Sequence, residues 1–190
     1  MSSTEPSRPS SGAQITHLVL TVRDIEASHR FYTEIIGYQQ CGLLEGELAE
    51  SEMRFYRAGT NHHDLALVQV GKPDEVPAPP EDWLGFFPDH AVGINHFAIG
   101  YPTREAWLHQ LDHLQVNGIP FDLRGNHGMT HSVYVRDPDG NSVEILYDLP
   151  PQVWSGDVNA ALNYFEVLPG EGAGALEDDT EYHRFDPADA

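Results

Sequence analysis

The 190-residue chain predicts an α+β fold made of two βαβββ modules, on three observations. First, the chain repeats a layout. Residues 15–38 read ITHLVLTVRDIEASHRFYTEIIGY, and residues 94–119 read INHFAIGYPTREAWLHQLDHLQVNGI. Each stretch opens with Ile-x-His, runs as a short apolar strand, meets a capping residue and continues with helical spacing of apolar side chains. Second, short β-prone runs follow each helix. Third, Asp137-Pro138-Asp139-Gly140-Asn141 separates two such runs, which is hairpin turn chemistry.

Residues 1–14 are rich in Ser, Pro and Gly and predict a disordered leader. Module one spans 15–70. Asp24 caps its helix, Ile25, Tyr32, Ile35 and Ile36 form the apolar face, and Gly37 ends it as a C′ glycine should. Strands are expected at 53–58 and 64–70. Residues 71–93 are a connector in which Pro alternates with Trp83, Phe86 and Phe87, so it packs on the core or roofs a pocket. Module two spans 94–148, with Thr103 as cap, Trp107, Leu108, Leu111 and Leu114 as the buried face, and Gly118 as the stop. Its later strands are expected at 119–123, 132–136 and 142–147. Residues 149–190 form a C-terminal extension. Its last 20 residues, EGAGALEDDTEYHRFDPADA, read as an acidic solvating tail, with an arm laid over a neighbouring subunit as the alternative.

A formal net charge of -20 excludes nucleic acid and anionic membrane as partners, because both require a positive surface. Cys41 is the single cysteine, so no intrachain disulfide supports the fold. No apolar secretory core and no bilayer-length apolar run is present, which predicts a soluble, cytoplasmic protein.

Eleven histidines are many for this length. The repeat puts His17 and His96 at equivalent points of two first strands. Glu144 falls among Val143, Ile145 and Leu146, where an alternating pattern turns it inward. Alone, a strand histidine is more often a satisfied polar residue and a strand glutamate usually faces water. The coincidence of the same Ile-x-His in both copies with a late carboxylate favours a metal cup between paired modules. Two imidazoles and one carboxylate suit a divalent first-row metal and leave positions open for substrate and O2.

The hairpin GNHGMTHSVYVRDPDGNSVE, 125–144, carries further polar residues: His127, His131 and Tyr134. Together with the paired modules, it resembles the vicinal oxygen chelate superfamily of glyoxalase I, fosfomycin-resistance proteins and type I extradiol dioxygenases. Gly125-Asn126-His127, Val133-Tyr134, Asp137-Pro138, Gly140 and Glu144 are similar, in order, to the extradiol ring-cleavage signature. The module resemblance covers about residues 15–148. Asn61-His62-His63-Asp64-Leu65-Ala66-Leu67 resembles the extradiol stretch in which a histidine steps into Ala-Leu.

The resemblance implies a one-domain extradiol dioxygenase that opens a catechol-type ring beside its two hydroxyls with O2. His17, His96 and Glu144 would hold Fe(II), with Mn(II) possible on the same donors. His63 would be the active-site acid–base, Tyr134 a hydroxyl over the substrate, and His127 a pocket acid or hydrogen-bond donor. His131 takes the place of His127 if the hairpin register shifts. Ala66 stands where glyoxalase I-like relatives place a fourth, carboxylate ligand, and alanine cannot ligate. The expected partners are a small aromatic diol, O2 and further copies of the chain in a homo-oligomer. The alternatives are another metal enzyme of the fold, an isomerase or a thiol or epoxide transferase, a metal-free protein that binds aromatic drugs, and a structural repeat protein with incidental histidines.

Overall fold

A computed structural model of the chain describes residues 14–46, 52–77, 93–178 and 181–186. The expectations for the leader at 1–13 and for Trp83, Phe86 and Phe87 of the connector lie outside the described residues.

Two sheets carry the fold, one per module. In module one, β1 (Leu18–Val22) leads into α1 (Ile25–Arg30). Asp24 caps that helix by accepting from the backbone N–H groups of Glu26 and Ala27. The helix then widens into a π-turn over Phe31–Ile35, closed by a 3.0 Å bond from the Ile36 N–H to the Phe31 carbonyl. The widened turn keeps Phe31, Tyr32 and Ile36 buried. Gly37, at φ +93°, reverses the chain where a side chain would be strained. Strands β2 (Gln39–Leu43), β3 (Met53–Arg57) and β4 (Leu65–Gln69) follow, in the order β1-β4-β3-β2, with β1 and β4 parallel. The sequence reading missed β2. Gln39-Gln40-Cys41-Gly42-Leu43 lies at the sheet edge and is mostly exposed, so it shows no apolar alternation.

Module two repeats the plan with β5 (Phe97–Gly100), α2 (Arg104–Val116), β6 (Leu123–Asn126), β7 (Thr130–Arg136) and β8 (Ser142–Asp148). Thr103 caps α2 by accepting from the Ala106 N–H. The strand expected at 119–123 forms at 123–126 instead. Pro120 has no N–H to donate, and the half-buried Ile119 and Phe121 pack against the core before pairing begins. Trp107, Leu111 and Leu114 are fully buried on the back of this sheet, and the Trp107 indole N–H donates to the Ile145 carbonyl at 2.9 Å.

The hairpin turn is the joint between modules. The Tyr32 hydroxyl donates to Asp137 at 2.8 Å, and Arg23 and Ser28 donate to Asp139 at 3.0 and 3.1 Å. Burial raises the Asp137 carboxyl above the usual carboxylate range, although Asn141 and Tyr32 oppose this by hydrogen bonding to it. Gln110 of α2 adds a 2.8 Å bond to the Ile35 carbonyl. One apolar core runs across both modules. No helix among the described residues is long and apolar enough to cross a membrane.

The C-terminal extension packs on module two, and its stretch 171–178 differs from the solvating tail that the sequence suggested. It forms α3 (Pro151–Trp154) and α4 (Val158–Leu162), then adds β9 (Glu166–Val167) to the free edge of β6. Its acidic stretch turns inward at Asp178, whose side chain is 1% exposed. This carboxylate accepts from His131 Nδ1 and the Tyr147 hydroxyl, both at 2.6 Å, and from Arg104 Nε at 3.0 Å. Arg124, equally buried, lies 3.5 Å away and donates to the Pro169, Gly174 and Glu177 carbonyls. Burial raises the Asp178 carboxyl, but the bonds from His131 and Tyr147 prevail and hold it below the ordinary carboxylate value.

Removing one partner of such a network leaves buried charge uncompensated. Asp178→Ala is therefore expected to cost about 3–5 kcal/mol in urea unfolding. A loss under about 1 kcal/mol, the range of an exposed pair, would show that the extension is not held by this network.

Candidate active site

Strand register decides which side chains of module two share a face. Ala98 pairs with Glu144, Glu144 with Tyr134, and Tyr134 with Leu123. Paired residues point to the same side, and so do residues two apart along a strand. Ser132, Tyr134 and Glu144 therefore stand on one face, which we call the cup face, and His96, two residues before Ala98, enters it from the start of β5. His131 is on the opposite face, with Trp107, Tyr147 and Asp178. That parity assigns His127, not His131, to the cup.

Glu144 is 7% exposed, so its carboxylate needs donors close at hand. The Ser132 hydroxyl donates to Oε1 at 2.6 Å. The Tyr134 hydroxyl stands on the same face beside it, close enough for Glu144 to act on the phenol as charge and acceptor. His96 Nε2 lies 3.4 Å from Oε2, and the other nitrogen of that ring, Nδ1, is 2.6 Å from the Asn95 side-chain oxygen. An amide oxygen can only accept, so His96 carries its proton on Nδ1 when neutral and turns the Nε2 lone pair toward Glu144.

The same logic orients the next pair. A carboxylate only accepts, so Tyr134 gives its proton to Glu144. Its oxygen then accepts from His127 Nε2, 3.1 Å away. The result is a directed chain from His127 through Tyr134 to Glu144. Burial raises the Tyr134 phenol above its ordinary value, and the Glu144 charge and hydrogen bond add to this. Burial lowers the His127 imidazole. Glu144 pulls the other way, while His96 and His131 push with burial.

His96 and Glu144 fit a metal. Donors about 2.1 Å from one ion and at right angles to each other sit roughly 3 Å apart, close to the 3.4 Å found. His17 stands at the head of module one, just before β1. Its ring is 4.5 Å from that of His63 and 6.4 Å from that of His62, and the Nδ1 atoms of His62 and His63 are 2.7 Å apart. Phe55 meets His63 edge-on at 5.2 Å. Desolvation lowers the His63 imidazole, and its two histidine neighbours lower it further. Among the described residues, no three His, Cys, Asp or Glu side chains converge closely enough to hold a metal. The donors thus form two sets: His96 with Glu144, beside Tyr134 and His127, and His17 with His63.

Ala66 pairs with Val19, two residues after His17, as Glu144 pairs with Ala98, two residues after His96. It occupies the module-one counterpart of the Glu144 position, where a further carboxylate would stand. Sequence reasoning missed two residues of the cup. Ser132 could have been found, since it lies two positions before Tyr134 and must share its face. Phe165 could not, because nothing in the extension signals that its ring reaches His127, 5.0 Å between centroids.

Known proteins share this arrangement of modules. The chain is 29% identical over 143 residues to a catechol-2,3-dioxygenase of Bacillus subtilis, covering 75% of this chain and 44% of that enzyme. It is 28% identical to biphenyl-2,3-diol 1,2-dioxygenase 3 of Rhodococcus globerulus, covering 71% of this chain and 63% of that protein. It is 27% identical to a lactoylglutathione lyase of Pseudomonas putida, covering 70% of this chain and 84% of that one. The chain therefore spans about half to two-thirds of the two dioxygenases. A glyoxylase/bleomycin resistance protein/dioxygenase domain from Frankia sp. EAN1pec superposes with a TM-score of 0.56 at 18% identity, covering 73% of this chain and 94% of that one, and so shares the fold. The family model of the Glyoxalase/Bleomycin resistance protein/Dioxygenase superfamily matches residues 14–145, and the chain belongs to that superfamily.

Proposed function

We propose that the protein is an extradiol dioxygenase that uses O2 to open a catechol-type ring beside its two hydroxyls. The observation that carries this reading is the chain from His127 through Tyr134 to Glu144, beside His96. It puts a hydroxyl and an imidazole that can hold substrate oxygens next to two metal-donor side chains. Ala66 supports it, because a site without a fourth protein ligand leaves room for a bidentate diol and O2 together. The two diol dioxygenases among the relatives agree with it.

Fe(II), or Mn(II) on the same donors, supplies a Lewis acid that acidifies a bound diol and a centre to which O2 can come. His96, Glu144 and His17 are the residues that would hold it. Tyr134 orients a substrate oxygen, and His127 Nε2–H holds the phenol in place for that task. His63 takes a proton from a diol hydroxyl and returns it to the opened product. Its lowered pKa keeps it neutral, and so able to act as a base, at neutral pH. Since no three donor side chains converge among the described residues of one chain, we assign the complete site to a homo-oligomer. In it, the module-one face of one copy, where Val19 is 44% exposed, covers the module-two cup of another.

The test of the reading is anaerobic loading with Fe(II), followed by catechol and 2,3-dihydroxybiphenyl in air. Yellow ring-opened product with matching oxygen uptake is the expected outcome. No colour from several diols with iron demonstrably bound would replace this reading with the isomerase or transferase reading.

Ser132 gives a second expected outcome. Ser132→Ala removes a donor from a ligand carboxylate and should weaken metal affinity by about 10–100-fold in chelator competition, with Glu144→Ala abolishing binding. Equal affinities in Ser132→Ala and wild type would remove Ser132 from the site.

The lowered His127 pKa gives a third. Its neutral form is favoured in the folded chain, so the unfolded chain binds the extra proton between that lowered value and the ordinary 6.5. The stability from this group is fully present above pH 6.5 and is lost as pH falls through the folded pKa. In urea unfolding of metal-free protein, wild type should lose more stability than His127→Gln across that window. Parallel curves would show that His127 is not desolvated.

A further inference from the structure

The turn that carries His127 is held between two aromatic rings of the extension, each seated on a glycine. A Cβ at Gly125 would lie 2.5 Å from Phe165 Cε2, and one at Gly128 would lie 2.9 Å from Phe185 Cε2. Gly128 also has φ +76°, and its N–H donates to the Asn126 side-chain oxygen at 2.8 Å. No side chain fits at either position while both rings stay where they are.

Phe165 is the ring that faces the cup. β9 pairs Val167 with Gly125 and Glu166 with Asn126, and continuing that register sets Phe165 opposite His127. Gly125 pairs with Ser132, whose hydroxyl is on Glu144, so Gly125, His127 and Phe165 all share the Glu144 face. The Phe165 and His127 rings lie 5.0 Å apart at 44°. The same imidazole meets the Tyr134 hydroxyl at 3.1 Å. The imidazole therefore has an apolar ring against it and, among the described residues, the Tyr134 hydroxyl as its polar partner. Phe165 is 47% exposed, so its ring serves this contact without belonging to the core.

We propose that Phe165 is a positioning residue of the site, through which the C-terminal extension fixes the His127 ring against Tyr134. A ring held this way keeps Nε2–H on the phenol oxygen and leaves the Tyr134 proton on Glu144. Without it, the His127 side chain can rotate about its own bonds, and the chain of donors opens at its first link. Geometry at this link is worth a large rate factor, since a misplaced group of this kind can cost about a hundredfold. The structural part of the inference rests on the contacts alone. Its effect on turnover rests on the dioxygenase reading.

The test uses full-length, metal-free, ¹⁵N-labelled protein and reads the imidazole nitrogens of His127. Wild type should show one tautomer, protonated at Nε2, with a hydrogen-bonded proton. In Phe165→Ala that proton signal should be lost and the nitrogen shifts should average. Phe165→Tyr, which keeps the ring, should restore the wild-type pattern. Gly125→Ala provides the second route, because its methyl displaces the Phe165 ring and leaves Phe165 itself unchanged. It should reproduce the Phe165→Ala spectrum. Wild-type His127 signals in either Phe165→Ala or Gly125→Ala would overturn the proposal. With iron and a diol, kcat should fall ten- to a hundredfold in Phe165→Ala while KM changes little. A wild type that opens no diol would remove the dioxygenase reading and leave the nitrogen spectra to decide the positioning. An active wild type whose kcat Phe165→Ala leaves unchanged would retain the reading and remove the positioning role.

Discussion

A carboxylate in the middle of a β-sheet must be compensated, and the arrangement of module two follows from that demand at Glu144. At 7% exposure its charge has lost most of its water. The replacements are a serine hydroxyl at 2.6 Å and the neighbouring tyrosine hydroxyl. Each replacement constrains something else. Ser132 and Tyr134 must lie two apart on β7, which fixes the hairpin register, because a one-residue slip would turn both away from Glu144. Tyr134 gives its only proton to the carboxylate, so it must accept from His127. His96 spends its Nδ1 proton on Asn95 and keeps a lone pair for the cup.

The opposite face of the same sheet repeats the problem in another form. Asp178 is buried between His131, Tyr147, Arg104 and Arg124, and it brings the end of the extension onto β7 and β8. The two faces share the segment 124–131. Arg124 and His131 point back to the extension, while Gly125 and His127 point to the cup. Whatever fixes the back of this hairpin therefore also fixes the register of its front. A solvent-exposed tail could not do this. A tail whose acidic group is inside the fold can, at the cost of desolvating it.

Much of the scaffold was legible in the sequence because it rests on local chemistry. The helix caps Asp24 and Thr103, the stops at Gly37 and Gly118, and the turn at 137–141 each have a short-range cause, and each stands where the pattern put it. Strand β2 was not legible, since an exposed edge strand has no buried side to alternate. The extension was not legible either. Its composition reads as solvated, and only tertiary partners make Asp178 a core residue. In the candidate site, Glu144 could be read as inward from its apolar neighbours. The choice between His127 and His131 could not be made until register placed them on opposite faces. That His17 does not join His96 and Glu144 in one cluster among the described residues is beyond sequence for a simpler reason: equivalence in a repeat states a shared position within a module, not a distance between modules.

The repeat also shows why one module carries the charge and the other does not. In β3 and β4, Met53, Phe55 and Ala66 occupy the positions that Ser132, Tyr134 and Glu144 hold in β7 and β8, as the matching registers Phe55↔Ala66 and Tyr134↔Glu144 require. All three polar groups of module two are apolar in module one. The substitutions depend on one another. A carboxylate at position 66 would be buried like Ala66, with neither a hydroxyl at 55 nor one at 53 to receive it. An apolar residue at position 144 would remove the acceptor of the 2.6 Å bond from Ser132 and leave that hydroxyl only the longer 3.3 Å contact with Thr130 among the described residues. Module one, relieved of the carboxylate, keeps His17 and His63 at its strand heads, where desolvation and the neighbouring histidines lower the His63 imidazole against the opposing pull of Asp64.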